Sequence, residues 1–157
     1  MKVRRIVTGH AAGKAVVWKD AEQEASAARV DKVISRLIWS TDRSPAHYLG
    51  DEDMGERQLG IQPPAGGTRF SVLEIAPGNK PYMHRTDTID YVICLAGEVD
   101  MELDDGKTVK MKTGDVMVQR GTVHNWVNRG TEPCTMAVIL IHAKPVEAGG
   151  KTLNAFG

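Results

Sequence analysis

The sequence predicts an all-β fold, an antiparallel sandwich or barrel, and three observations carry that prediction. From residue 68 onward, short runs rich in β-formers follow one another almost without interruption. A turn signal built from Gly, Pro, Asp or Asn separates each run from the next, the regular punctuation of two-sheet β architectures. The one stretch of strong helix propensity, residues 20–28, has hardly any apolar stripe, so a helix there would be short, exposed or frayed.

Taken in order, residues 2–8 and 14–18 are β-prone and flank the segment from Gly9 to Gly13, which reads as a hairpin or a pair of arms ahead of the main sheet. Residues 33–41 return to strand character. Residues 42–67 are punctuated by Pro45, Gly50, Gly55, Gly60, Pro63, Pro64, Gly66 and Gly67, which marks a long loop. A loop of that length is a surface excursion or a lid over a cavity mouth. Residues 70–76 form a strand ended by Pro77-Gly78, and residues 90–103 alternate up to the hairpin signal Asp104-Asp105-Gly106. Within that run Val99, Met101 and Leu103 read as one buried face, opposed by Asp100, Glu102 and Asp104. Residues 107–112 answer the hairpin, Gly114-Asp115 turns again, and 116–119 and 134–142 complete the set before a Gly-rich tail. The chain divides into N-terminal arms, strand and loop (1–67), a barrel core (68–143) and a tail (144–157), all within one domain.

At 157 residues, a chain buries roughly two-thirds of the surface it exposes when unfolded, enough for a single core. Twenty basic and twenty acidic side chains cancel, which leaves no electrostatic footprint for nucleic acid or an anionic membrane. A small neutral or mildly polar organic molecule is the expected partner. Cys94 and Cys134 lie in apolar runs without metal spacing and read as reduced core residues. No run of about twenty apolar residues is present, and a cytoplasmic location is expected.

Two histidines stand out. His84 follows Gly78 and precedes Asp90 and Gly97; His124 follows Gly114 and Gly121 and precedes Asn128. This layout resembles the cupin superfamily, whose first motif carries two histidines, a glutamate and a glycine, and whose second carries a proline, a glycine, a histidine and an asparagine. Thr86 occupies the place of the second histidine and Asp90 that of the glutamate; the second motif lacks its proline and is one residue shorter between its glycines. The resemblance covers residues 68–142 and implies a jelly-roll barrel, a double-stranded β-helix. It also implies N-terminal β arms of the kind that exchange between subunits, hence a homodimer.

Cupins use the matching positions to hold a divalent metal. Carried over, His84, His124 and Asp90 would supply two imidazoles and one carboxylate, the donor set of an open facial triad for iron, manganese, nickel or zinc. That would suit oxygenase chemistry, or lyase or isomerase chemistry at a carbonyl. A second reading drops the metal. Strand parity places Val92 and Cys94 on the face of Asp90, so a desolvated Asp90 beside His84 would serve as a general acid or base, as in cupins that isomerise, dehydrate or cyclise. A third makes the barrel a binding module without chemistry, and a purely architectural role for both histidines stays open. By the same parity Thr86 shares the face of His84, and Trp126 and Asn128 that of His124. Thr86, Tyr82, Trp126, Cys94 and, if the long loop closes, His47 complete the expected substrate pocket.

Overall fold

A computed structural model describes residues 2–25, 30–47 and 50–157, and the expected all-β jelly roll is what they form. β1 (Arg4–Ala11) and β2 (Lys14–Glu22) make the N-terminal hairpin, with a register shift between Val7 and Thr8. The strand runs through Asp20–Glu22, where helix propensity is strongest: pairing with Arg4–Ile6 satisfies the backbone there, and tertiary context overrides a weak local preference. Residues 23–25 carry no regular structure, and residues 26–28 of that expected helix lie outside the described residues. The hairpin is tied to the long loop by a buried ion pair in which Arg5 donates twice to Asp53, at 2.6 Å each. Trp18 meets Trp39 edge-to-face at 6.2 Å.

The principal sheet has five strands in the order β3 (Val33–Thr41), β4 (Thr68–Ile75), β10 (Cys134–His142), β5 (Thr88–Ala96) and β8 (Val116–Arg120). A second sheet places β6 (Glu98–Glu102) between β7 (Thr108–Lys112) and β9 (Asn125–Val127). Ile75, Val92, Cys94, Val99, Met111, Cys134, Met136, Val138 and Leu140 fill the space between the sheets. Each large side chain buried there stabilises the fold by about 1.5–3 kcal/mol. The tail is more regular than its glycines suggest, since β11 (Val146–Ala148) and β12 (Lys151–Leu153) pair across Gly149-Gly150.

Two expectations need correction. Residues 90–103 are two strands in different sheets, because Gly97, at φ 75°, turns the chain. A Cβ at Gly97 would sit 2.6 Å from the Pro133 carbonyl oxygen, so both its conformation and its close approach require glycine. Asp100 is buried rather than outward, paired with Lys110 at 3.1 Å and Arg129 at 3.0 Å. Those cations lie ten and twenty-nine residues away in sequence and neutralise a carboxylate that period-two reading sends to solvent.

Candidate active site

The two histidine segments are zipped together by backbone. His84 N–H donates to the His124 carbonyl and His124 N–H to the His84 carbonyl, both at 3.0 Å. This bridge sets the rings 4.2 Å apart, flanked by Tyr82 at 5.4 Å from His84 and Trp126 at 6.0 Å from His124. Asparagines hold the segments in place. Asn125 Oδ1 accepts the Tyr82 N–H at 2.8 Å and its Nδ2 donates to Glu102. Asn79 Nδ2 donates to the Trp126 carbonyl and its Oδ1 accepts the Asn128 N–H, each at 2.8 Å.

Each imidazole nitrogen Nδ1 lies against a carbonyl two residues earlier: His84 with Tyr82 at 2.9 Å, His124 with Thr122 at 3.0 Å. A carbonyl only accepts, so Nδ1 carries the proton and a neutral ring keeps its lone pair at Nε2. Neutrality follows from burial, which lowers His84 below the usual histidine value. Burial, helped by neighbouring His84, takes His124 down to about 4. The two rings therefore present two lone pairs and no positive charge at neutral pH.

On β5, Thr88 Oγ1 donates to Asp90 Oδ1 at 2.5 Å, and Thr86 Oγ1 lies 2.6 Å from Thr88 Oγ1. With the Thr88 proton directed at Asp90, Thr86 donates to Thr88, and a chain of hydroxyls ends on the carboxyl. Asp90 is only 4% exposed. Burial pushes its carboxyl up to about 6, against the Thr88 hydrogen bond, which pulls the other way.

His84, His124, Thr86, Asp90, Tyr82 and Trp126 all line one cavity of about 160 Å³. A cavity of about 150 Å³ accepts benzene, so this one suits a single small ring or its equivalent. Val33, Leu73, Val92, Val138 and Leu140 make much of its wall, and Leu59 to Ile61 bring part of the long loop to it. Two expected pocket residues lie elsewhere. Cys94 shares the inward face of Asp90 but sits lower in the barrel, its Sγ 3.8 Å from Cys134 Sγ among core side chains. His47 is exposed on the loop, bonded to Arg43. Thr88, Gln119 and Ser71, absent from the sequence reading, belong to the site. Parity from Asp90 points to Thr88, whereas Gln119 and Ser71 emerge only from strand register.

The expected facial triad is not assembled. Among the described residues no three His, Cys, Asp or Glu side chains converge on one point. Thr86, in place of an imidazole, spends its hydroxyl on Thr88, and Asp90 is held by Thr88 in surroundings that favour its proton. Two imidazoles alone fall short of that donor set.

The sequence profile of the cupin domain matches residues 71–141. A cupin-domain-containing oxidoreductase of Aspergillus ruber is 30% identical, over 99% of this chain and 80% of that protein. The chain belongs to the cupin family. Phomopsin biosynthesis cluster protein C' of Diaporthe leptostromiformis is 35% identical to this cupin, over 96% of the chain and 84% of the relative. Among solved structures, the polyketide cyclase RemF of Streptomyces resistomycificus superposes with a TM-score of 0.53 at 17% identity, covering 76% of this chain and 73% of that one. That likeness is one of fold.

Proposed function

We propose that this cupin is an enzyme that moves protons on a small, largely apolar organic molecule held in the barrel, with Asp90 as the proton carrier. The observation that carries the reading is the buried Thr86–Thr88–Asp90 chain opening on the same cavity as two neutral imidazoles. Thr88 engages Oδ1, which leaves Oδ2 to take a proton from carbon or give one to oxygen. The Nε2 lone pairs of His84 and His124 accept a hydrogen bond from the ligand and orient it. Apolar walls exclude water, which strengthens every polar contact inside. Isomerisation, dehydration and ring closure next to a carbonyl all need this equipment and no more.

Oxidoreductase chemistry, the activity in the name of the Aspergillus ruber relative, is the second reading. It is favoured by the two unengaged Nε2 atoms, since metal-bound histidines also donate their other nitrogen to a carbonyl. One experiment separates the two. Protein purified without chelator is analysed for iron, manganese, nickel and zinc, then screened in D2O for α-proton exchange on small enolisable ketones. We expect exchange that survives chelator and falls on the order of a hundred-fold in Asp90→Asn. Near-stoichiometric metal that disappears in the His84→Ala/His124→Ala variant, together with the activity, would overturn the acid-base reading.

We also propose a homodimer. Ile89, Tyr91, Ile93, Leu95, Val116 and Val118 are exposed on the outer face of β5 and β8, a contiguous apolar surface of the kind that marks an interface. Light scattering should give about twice the 17.1 kDa chain mass, and Val118→Asp should return it to one; a monomeric parent would refute the assembly.

A further inference from the structure

Gln119 Oε1 and Ser71 Oγ are buried in the cavity wall without a hydrogen-bond partner among the described residues. Gln119, 4% exposed on β8, donates from Nε2 to Thr122 Oγ1 at 3.1 Å, while its Oε1 has no hydrogen bond among the described residues. Ser71, 1% exposed on β4, has an unpartnered Oγ. Buried polar atoms are nearly always paired, because desolvation without a partner costs about 1–3 kcal/mol. Both residues line the cavity, so a bound molecule can reach them.

Register locates them. Gln119 stands opposite Asp90, and Asp90 opposite Leu140; Ser71 stands opposite Val138, and Val138 opposite Val92. Three strand spacings, roughly 14 Å between backbones, separate the strands of Gln119 and Ser71, with Leu140, Val138 and Val92 between them. The wall therefore has a polar end at Asp90 and Gln119, an apolar middle as wide as a ring, and beyond it the Ser71 hydroxyl on a strand whose Arg69 also lines the cavity. At the polar end the unfilled atom is a carbonyl-type acceptor, and an acceptor calls for a donor.

We propose that Gln119 Oε1 is a specificity-determining contact that selects ligands carrying a hydroxyl or N–H on an apolar body. This rests on the reading of the cavity as the small-molecule site. Such a ligand places its donor beside Asp90, within reach of the group that exchanges protons, while Leu140, Val138 and Val92 cover its hydrocarbon part.

Cyclohexanol and cyclohexanone test the assignment, being matched in size and differing in the O–H. Each is titrated at pH 8, where Asp90 is ionised and offers no proton, following the methyl NMR signals of Val92 and Leu140. The alcohol should bind about ten-fold tighter than the ketone in the parent, and within two-fold of it in Gln119→Leu. Equal affinities, a preference for the ketone, or a preference for the alcohol that persists in Gln119→Leu would overturn the assignment and leave the cavity standing as a binding site. Methyl signals that respond to neither probe would remove the binding site itself, and the proposal with it. Equal affinities in the parent overturn the assignment even where Gln119→Leu fails to fold, and Gln119→Met then takes its place in the comparison, because Asp90 and the two imidazoles in the same cavity also accept hydrogen bonds.

Discussion

Asp90→Asn should stabilise the protein at pH 8 and make its stability steeply pH-dependent below 6.5. The folded Asp90 carboxyl titrates near 6, above its ordinary value of 3.8, so between those values the native state holds more proton than the unfolded chain. Stability from this group is full below 3.8 and is lost as pH rises through 6. His124 has the opposite sign. Its folded value of about 4 lies below the ordinary 6.5, so its contribution is full above 6.5 and is lost as pH falls through 4. The two windows overlap, and in the parent the two slopes largely cancel. Asparagine keeps an oxygen for Thr88 and abolishes the buried anion, which leaves the histidine slope alone. At pH 8 the gain should be on the order of 2 kcal/mol, a rise of roughly 4–8 °C in Tm for a chain of this size. Thermal melts from pH 4 to 8 on parent and variant measure it, and an Asn variant no more stable than the parent at pH 8 would sink the claim that Asp90 ionises at a cost.

The second large effect is at Asn128, which is fully buried and is the residue that fastens the two motifs together. Its Nδ2 donates to the carbonyls of Ile75 and Glu132, both at 2.8 Å, its Oδ1 accepts from Gly130 N–H at 2.9 Å, and its own carbonyl accepts from Gly78 N–H at 2.9 Å. Asn128→Leu replaces the carboxamide with a bulkier branched hydrocarbon and leaves the buried Ile75 carbonyl, and the part-buried Glu132 carbonyl and Gly130 N–H, without their partner. We expect a loss of about 3–4 kcal/mol, or on the order of 10 °C in Tm. The His124 ring signals should shift as well, since Asn79 grips the backbone at Trp126 and Asn128. Chemical denaturation showing a loss below about 1 kcal/mol would mean that the latch is dispensable.

Much of this architecture was legible in the sequence because it is written in local signals. Strand β10 falls on the expected Cys134–His142, and the turn at Asp104-Asp105-Gly106 lies where predicted. The cupin resemblance together with strand parity expected His84, Thr86, Asp90, His124 and Trp126 to face inward, and all five line one cavity. What stayed hidden depends on distant partners. Asp100 is buried because Lys110 and Arg129 reach it, and Gln119 belongs to the site because β8 pairs with β5 in a register that no single strand encodes. Thr86 stood at a missing ligand position and Asp90 at a candidate one, and only Thr88 between them reveals that they are joined in a hydroxyl chain. Cys94 shows the limit of parity, which assigns a face and says nothing of depth along the barrel.

The most direct test is the ionisation of Asp90 itself, followed through its side-chain carboxyl carbon by NMR across pH 3 to 9. The account predicts a midpoint near 6 in the parent, moved higher in Thr88→Val, where the hydrogen bond favouring the anion is gone. A midpoint near the ordinary 3.8, unmoved by that substitution, would contradict it, because the carboxyl would then hold no proton to exchange at neutral pH.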